Sequence, residues 1–172
     1  GTYEGKAMIY GVASGKTCAM YMIDVESGEC LRKMELHGSS HTWGVSVAAD
    51  GTVYAGGDGY FYRYIPGEDE VENLGKPIDG ETYFWQTTVD EQGYPYCGTY
   101  PNGKVFRYDA RANNFQDYGQ LVDGENYVRS LSAANGKIYA GIGSKAHLIE
   151  LDPEKGLKRE IPLPEGYQNS DF

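Results

Sequence analysis

The chain has 172 residues, 24 of them Gly and 16 Tyr, and a formal net charge of −10. That length suits one domain, and the acidic balance argues against nucleic-acid or anionic-membrane partners, which need a basic surface. No apolar run approaches the roughly 18–20 residues that span a bilayer as a helix.

Short strand patterns fill the chain from its start. The first group is 6–12, 18–23 and 29–36, with Asp24-Val25-Glu26-Ser27-Gly28 turning between the last two. The second is 43–48, 52–56, 60–65 and a weak 70–75, with Asp50-Gly51 as a hairpin signal. The third is 84–89, 94–99, 104–108 and 115–120. The fourth is 128–133, 137–141, 147–151 and 157–161. No stretch sustains the 3.6-residue apolar period of a helix.

One phrase recurs in this order: a turn ending in Gly, an apolar pair containing Tyr, then Gly. It stands at Asp50-Gly51-Thr52-Val53-Tyr54-Ala55-Gly56, at Gln92-Gly93-Tyr94-Pro95-Tyr96-Cys97-Gly98 and at Asn135-Gly136-Lys137-Ile138-Tyr139-Ala140-Gly141. Its tyrosines are 42 and then 43 residues apart (54 to 96, 96 to 139), and its closing glycines keep the same spacing. A period of about 40–45 residues made of short strands marks a β-propeller, one blade per repeat. Third strands also end alike, at Ile23-Asp24, Tyr108-Asp109 and Leu151-Asp152. The spacing predicts an all-β propeller segment of about four blades of four antiparallel strands, the first lacking its inner strand. The blades are expected at about 1–40, 41–82, 83–125 and 126–166. Gly166-Tyr167 aligns with Gly80-Glu81 and Gly124-Glu125, so 167–172 reads as the start of a next innermost strand. Four blades of this length do not usually close a ring. Self-association, or the remaining blades of a larger propeller, is therefore the expected partner, alongside ring closure through 168–172.

The repeats resemble bacterial β-propellers of the non-WD type, most clearly at Gly98-Thr99-Tyr100-Pro101-Asn102-Gly103-Lys104-Val105-Phe106-Arg107-Tyr108-Asp109. No Gly-His or Trp-Asp pair closes a blade. In pattern they are loosely similar to the propellers of polysaccharide lyases and glycan-handling proteins. That resemblance implies a ligand face built by the loops before each innermost strand and the loops joining second to third strands.

On that face the repeat aligns His41 with Tyr83 and Asn126, Thr42 with Phe84 and Tyr127, Trp43 with Trp85 and Val128, and Gly44 with Gln86 and Arg129. Trp43 and Trp85 are expected to pack between blades, and Tyr54, Tyr96 and Tyr139 to fill the core. Positions that diverge in type are the candidate ligand contacts: His41, Tyr83, Gln86, Asn126, Tyr127 and Arg129, with Tyr100, Asn102 and Lys145 on facing loops. Arg129 suits a carboxylate taken in bidentate fashion; without a ligand it would pair with Asp58 or Glu125.

Other chemistry finds little footing. His37, His41 and His147 lack metal-ligand spacing, so no metal and no cofactor are expected. Gly15-Lys16-Thr17 reads as a hairpin turn, since no strand-to-helix context surrounds it. No Gly-x-Ser-x-Gly elbow is present. Cys18, Cys30 and Cys97 read as free thiols acting as small buried apolar groups. Three functions remain open: a non-catalytic module binding a glycan or small polar or anionic ligand, a polysaccharide lyase using Arg129 or Lys145 on the carboxylate with His41, Tyr83 or Tyr127 moving protons, and a protein-interaction scaffold.

Overall fold

The computed structural model describes residues 1–167. The strand start expected at 167–172 lies, apart from Tyr167, outside the described residues. Four antiparallel sheets of four strands follow one another along the chain, with no helix among the described residues. Blade 1 comprises β1 (Thr2–Tyr3), β2 (Lys6–Ala13), β3 (Cys18–Asp24) and β4 (Cys30–Leu36). Blade 2 comprises β5 (Val45–Val47), β6 (Val53–Gly56), β7 (Phe61–Tyr64) and β8 (Glu72–Asn73). Blade 3 comprises β9 (Tyr83–Val89), β10 (Pro95–Tyr100), β11 (Lys104–Asp109) and β12 (Asn114–Gln120). Blade 4 comprises β13 (Tyr127–Ala134), β14 (Lys137–Gly143), β15 (His147–Asp152) and β16 (Leu157–Glu160).

In each sheet the strands lie in chain order, and β9 touches both β5 and β13 along the inside of the array. Blade 1 has only the two-residue β1 at this innermost place, pairing Thr2 with Ala7 and Tyr3 with Lys6. The turns explain the phase of the repeat. Asn135 and Gly136 both take positive φ (53° and 69°), the geometry of a two-residue hairpin that matches strand twist. Asp24, Asp109 and Asp152 end their third strands by accepting backbone N–H groups two and three residues on.

Strand side chains alternate between faces, so each inner blade packs on both neighbours. Val53, Ala55, Tyr62 and Tyr64 meet Met8, Tyr10, Met20, Met22 and Leu36 of blade 1. Tyr54 and Phe61 meet Phe84, Cys97, Phe106 and Tyr108 of blade 3. Tyr96 and Val105 of blade 3 meet Val128, Ile138, Ala140 and Ile142 of blade 4. No apolar cluster joins blade 4 to blade 1 among the described residues. Tyr139, expected to be core like Tyr54 and Tyr96, is accordingly only half-buried, because no blade covers its face of blade 4 among the described residues. Cys30, expected buried, is exposed on outermost β4, while Cys18 and Cys97 are buried.

The innermost strand of blade 4 sits one residue out of the register read from the sequence. In blade 3, Phe84 pairs with Thr99 and Gln86 with Gly98, leaving Trp85 bulged. In blade 4, Val128 pairs with Ile142 and Ser130 with Gly141, leaving Arg129 bulged. The true equivalents are therefore Tyr83 with Tyr127, Phe84 with Val128, Trp85 with Arg129, and Gln86 with Ser130. A one-residue slip moves a side chain to the opposite face. Val128, not a tryptophan, packs between blades, and it stands against Gly98 as Phe84 stands against Gly56. The hairpin that joins β13 to β14 is one residue shorter than the one that joins β9 to β10, which accounts for the offset.

Candidate ligand-binding site

Buried carboxylates build the loop face by pinning one loop of a blade to another. In blade 3, Thr99 Oγ1 donates to Glu81 Oε2 (2.5 Å), and Asn102 donates its backbone N–H to Oε2 (3.2 Å) and its Nδ2 to Oε1 (2.6 Å). In blade 4, Lys145 N donates to Glu125 Oε2 (3.2 Å). In blade 2 the polarity is reversed: Asp58, on the loop after β6, accepts from Ser40 N (2.7 Å), Ser40 Oγ (2.8 Å) and His41 N (3.2 Å). Burial would raise the Asp58 carboxyl, but the Ser40 and His41 donors prevail and hold it below its usual value. Each latch fixes the approach to an innermost strand and so aims the aromatic residues that follow.

Those residues converge on one open depression of about 370 Å³, lined by His41, Trp43, Tyr83, Trp85, Tyr100 and Tyr127. It spans three blades. Trp43 lies 4.5 Å from Trp85 and 5.4 Å from Tyr83, centroid to centroid, and Tyr100 stacks on Tyr127 at 4.6 Å with 20° between planes. His41 lies parallel to Trp43 at 5.9 Å, with Nδ1 3.2 Å from Asp58 Oδ1. The Tyr127 hydroxyl beside Tyr100 raises the Tyr100 phenol above its ordinary value. Arg129 borders the blade 4 end, its guanidinium carbon 4.1 Å from the Tyr127 ring and 5.1 Å from the Trp85 ring.

Of the nine residues picked from the sequence, His41, Tyr83, Tyr100 and Tyr127 share this depression and Arg129 borders it. Asn102 does not join them, since its amide is committed to Glu81. Lys145 has an exposed side chain and its backbone serves the Glu125 latch; Asn126 is exposed beside that latch; Gln86 is exposed on β9 opposite Gly98. Arg129 is exposed and forms no ion pair with Asp58 or Glu125; it stacks on aromatic rings instead. Trp43 and Trp85, expected to pack between blades, do meet across the junction of blades 2 and 3, and they also line the depression, Trp43 with 39% of its surface exposed. The signal for this was present: Gly80-Glu81-x-Tyr83 and Gly124-Glu125-x-Tyr127 align at 44 residues, not 43. Among the described residues no cluster of His, Cys, Asp and Glu has the arrangement of a metal site.

No family model and no curated protein sequence matches the chain. Solved structures do match in fold. Virginiamycin B lyase from Staphylococcus aureus superposes with a TM-score of 0.68 at 12% identity, over 93% of this chain and 57% of that one. U3-55K gives 0.74 at 14% identity, over 90% and 48%. YCF48 bound to D1 peptide gives 0.60 at 12% identity, over 88% and 49%. The chain thus spans about half the length of these structures. At such identities the likeness establishes a propeller-type fold; the narrower resemblance to polysaccharide-lyase propellers draws no support from it.

Proposed function

We propose that this domain is a non-catalytic binding module whose aromatic depression holds a glycan. The observation that carries the reading is the convergence of six ring side chains from three blades on one open surface. A sugar ring presents apolar C–H faces and polar edges. Flat aromatic faces take the former, and the phenol and imidazole tips around the rim hydrogen-bond the latter. The rings meet one another across blades, but the interblade cores beneath are filled by Phe84, Val128 and their partners, so the depression stays open.

The test is direct, because the only two tryptophans in the chain, Trp43 and Trp85, both line the depression. Intrinsic tryptophan fluorescence therefore reports this site alone. Titration with a panel of neutral and acidic oligosaccharides is expected to shift or quench it saturably with at least one class, and Trp85→Ala is expected to abolish that binding. No response to any sugar would reject the reading, and a response to peptides instead would turn it toward an interaction scaffold.

A sugar-active enzyme is the second reading, favoured by one contact. Asp58 holds His41 Nδ1, which leaves Nε2 available as a base at the blade 2 end. Ultraviolet absorbance of an unsaturated product, released from a uronate polysaccharide and lost in His41→Ala, would support it.

A further inference from the structure

We propose that the sugar taken by this depression is acidic, with a ring carboxylate held by Arg129. The inference rests on the glycan reading above and adds the charge of the ligand to it. The bulge in β13 places Arg129 where blade 3 has Trp85, so a cation replaces a ring at one end of an otherwise aromatic row. The guanidinium lies over Tyr127 and Trp85. Stacking occupies its flat face and leaves its N–H edges free, the arrangement in which Arg meets a planar carboxylate through two parallel bonds.

Arg129 has no carboxylate partner among the described residues, although the chain carries 25 acidic residues. Arg32 pairs with Asp69, Arg63 with Glu72 and Arg159 with Glu150, whereas Arg107, over the Tyr94 ring, and Arg111 share with Arg129 the lack of a carboxylate partner among the described residues; Arg129 differs from both in lying on two rings of the depression. Three acids of the neighbouring loops are already used. Asp58 serves Ser40 and His41, Glu81 serves Thr99 and Asn102, and Glu125 serves Lys145. An unpaired guanidinium fork stacked on two rings of the depression, on a protein whose net charge repels anions at long range, is therefore a local device. Charge brings no general attraction here, so an acidic ligand must be recognised at close contact by this one group.

The experiment uses a uronate trisaccharide and the same trisaccharide with each carboxyl reduced to a primary alcohol, titrated against tryptophan fluorescence and checked by calorimetry. The uronate is expected to bind at least tenfold more tightly than its reduced form. Arg129→Ala is expected to remove that preference, weakening the uronate about tenfold or more while leaving the reduced sugar within about twofold. Equal affinity for the two sugars in the unmodified protein would overturn the inference and leave the glycan reading standing. Binding of neither sugar would remove both. An Arg129→Ala protein that lost both sugars alike would show the side chain acting through the placement of Tyr127, which also overturns the inference. A sulfated neutral trisaccharide is the third arm: tighter binding than the uronate would overturn the assignment to a carboxylate. Arg129 is exposed, so its replacement leaves the interblade cores intact, and near-ultraviolet circular dichroism of the variant confirms that before titration.

Discussion

A Cβ built on Gly98 of blade 3 falls 2.6 Å from the Cβ of Val128 of blade 4, closer than any real packing distance. Gly56 meets Phe84 Cβ at the same 2.6 Å one blade earlier. The repeat therefore keeps glycine at this place for approach between blades, not for a turn. Gly98→Ala is expected to destabilise by about 1–3 kcal/mol, the cost of overpacking a filled interface. Gly141→Ala is the internal control. A Cβ there meets only the Ser130 side chain of its own blade, whose hydroxyl can rotate away, so a change under about 1 kcal/mol is expected. Urea unfolding of both variants decides the matter, and equal losses would refute the interblade explanation.

The Glu81 latch gives a second test. Its two carboxylate oxygens accept three donors from Thr99 and Asn102 while only 5% of the residue is exposed. Glu81→Ala orphans those donors in a buried place and is expected to cost about 2–3 kcal/mol. Asn102→Ala removes one charge-assisted bond and is expected to cost less, about 1–2 kcal/mol. The double variant should fall short of the sum, because the partners share one network. Additive losses in denaturant melts would mean that Glu81 and Asn102 act separately.

What was legible in the sequence and what was not divide along a physical line. Blade number, strand order and the Tyr and Gly columns follow from local rules: hairpin glycines, alternation, and a period near 42 residues. The fourth innermost strand lies where the pattern puts it, but its alignment with the third is off by one residue. Bulging Trp85 and Arg129 out of their ladders is a non-local choice, settled by fitting Phe84 and Val128 against Gly56 and Gly98 of other blades. The local period aligns Arg129 with Gln86 instead of Trp85, and it shows the contact between the two tryptophans without showing that both also face an open depression. The roles of Asn102 and Glu81 were hidden for a similar reason, since a polar residue in a turn looks alike whether it faces a ligand or a neighbouring loop.

Buried phenols make stability depend on alkaline pH. Burial pushes Tyr54 up to about 12, and burial also takes Tyr62 to about 12 despite the Ser39 hydroxyl beside it. Burial raises Tyr96 as well. The folded-state values lie above the unfolded value of about 10, so the unfolded chain binds fewer protons in this window and stability falls as pH rises. The contribution is fully present below about pH 10 and is lost progressively up to about pH 12, at roughly 2–3 kcal/mol for each of Tyr54 and Tyr62. Denaturant melts between pH 8 and 12 should show a flat region and then a steep decline. In the folded protein Tyr54, Tyr62 and Tyr96 should ionise only as the chain unfolds. Stability unchanged up to pH 12 would contradict the burial of these side chains.

The open face of blade 4 sets the last expectation. Tyr96 and Tyr139 occupy one column of the repeat, on β10 and β14, and point toward the following blade. Tyr96 is fully buried because blade 4 covers it, and its hydroxyl donates to Asp90 Oδ2 (3.1 Å). Tyr139 is half-buried, and on the same outward side Leu157 has 63% of its surface exposed. Tyr96→Ala opens a cavity in a packed interface and is expected to cost about 3–5 kcal/mol, as truncation of a buried aromatic does. Tyr139→Ala removes a side chain that keeps much of its water and is expected to cost under about 1 kcal/mol. Unfolding should be measured at several protein concentrations. A large loss for Tyr139→Ala that grows with concentration would mean that another copy of the chain covers this face in solution. A small, concentration-independent loss is the result that the open fourth blade requires.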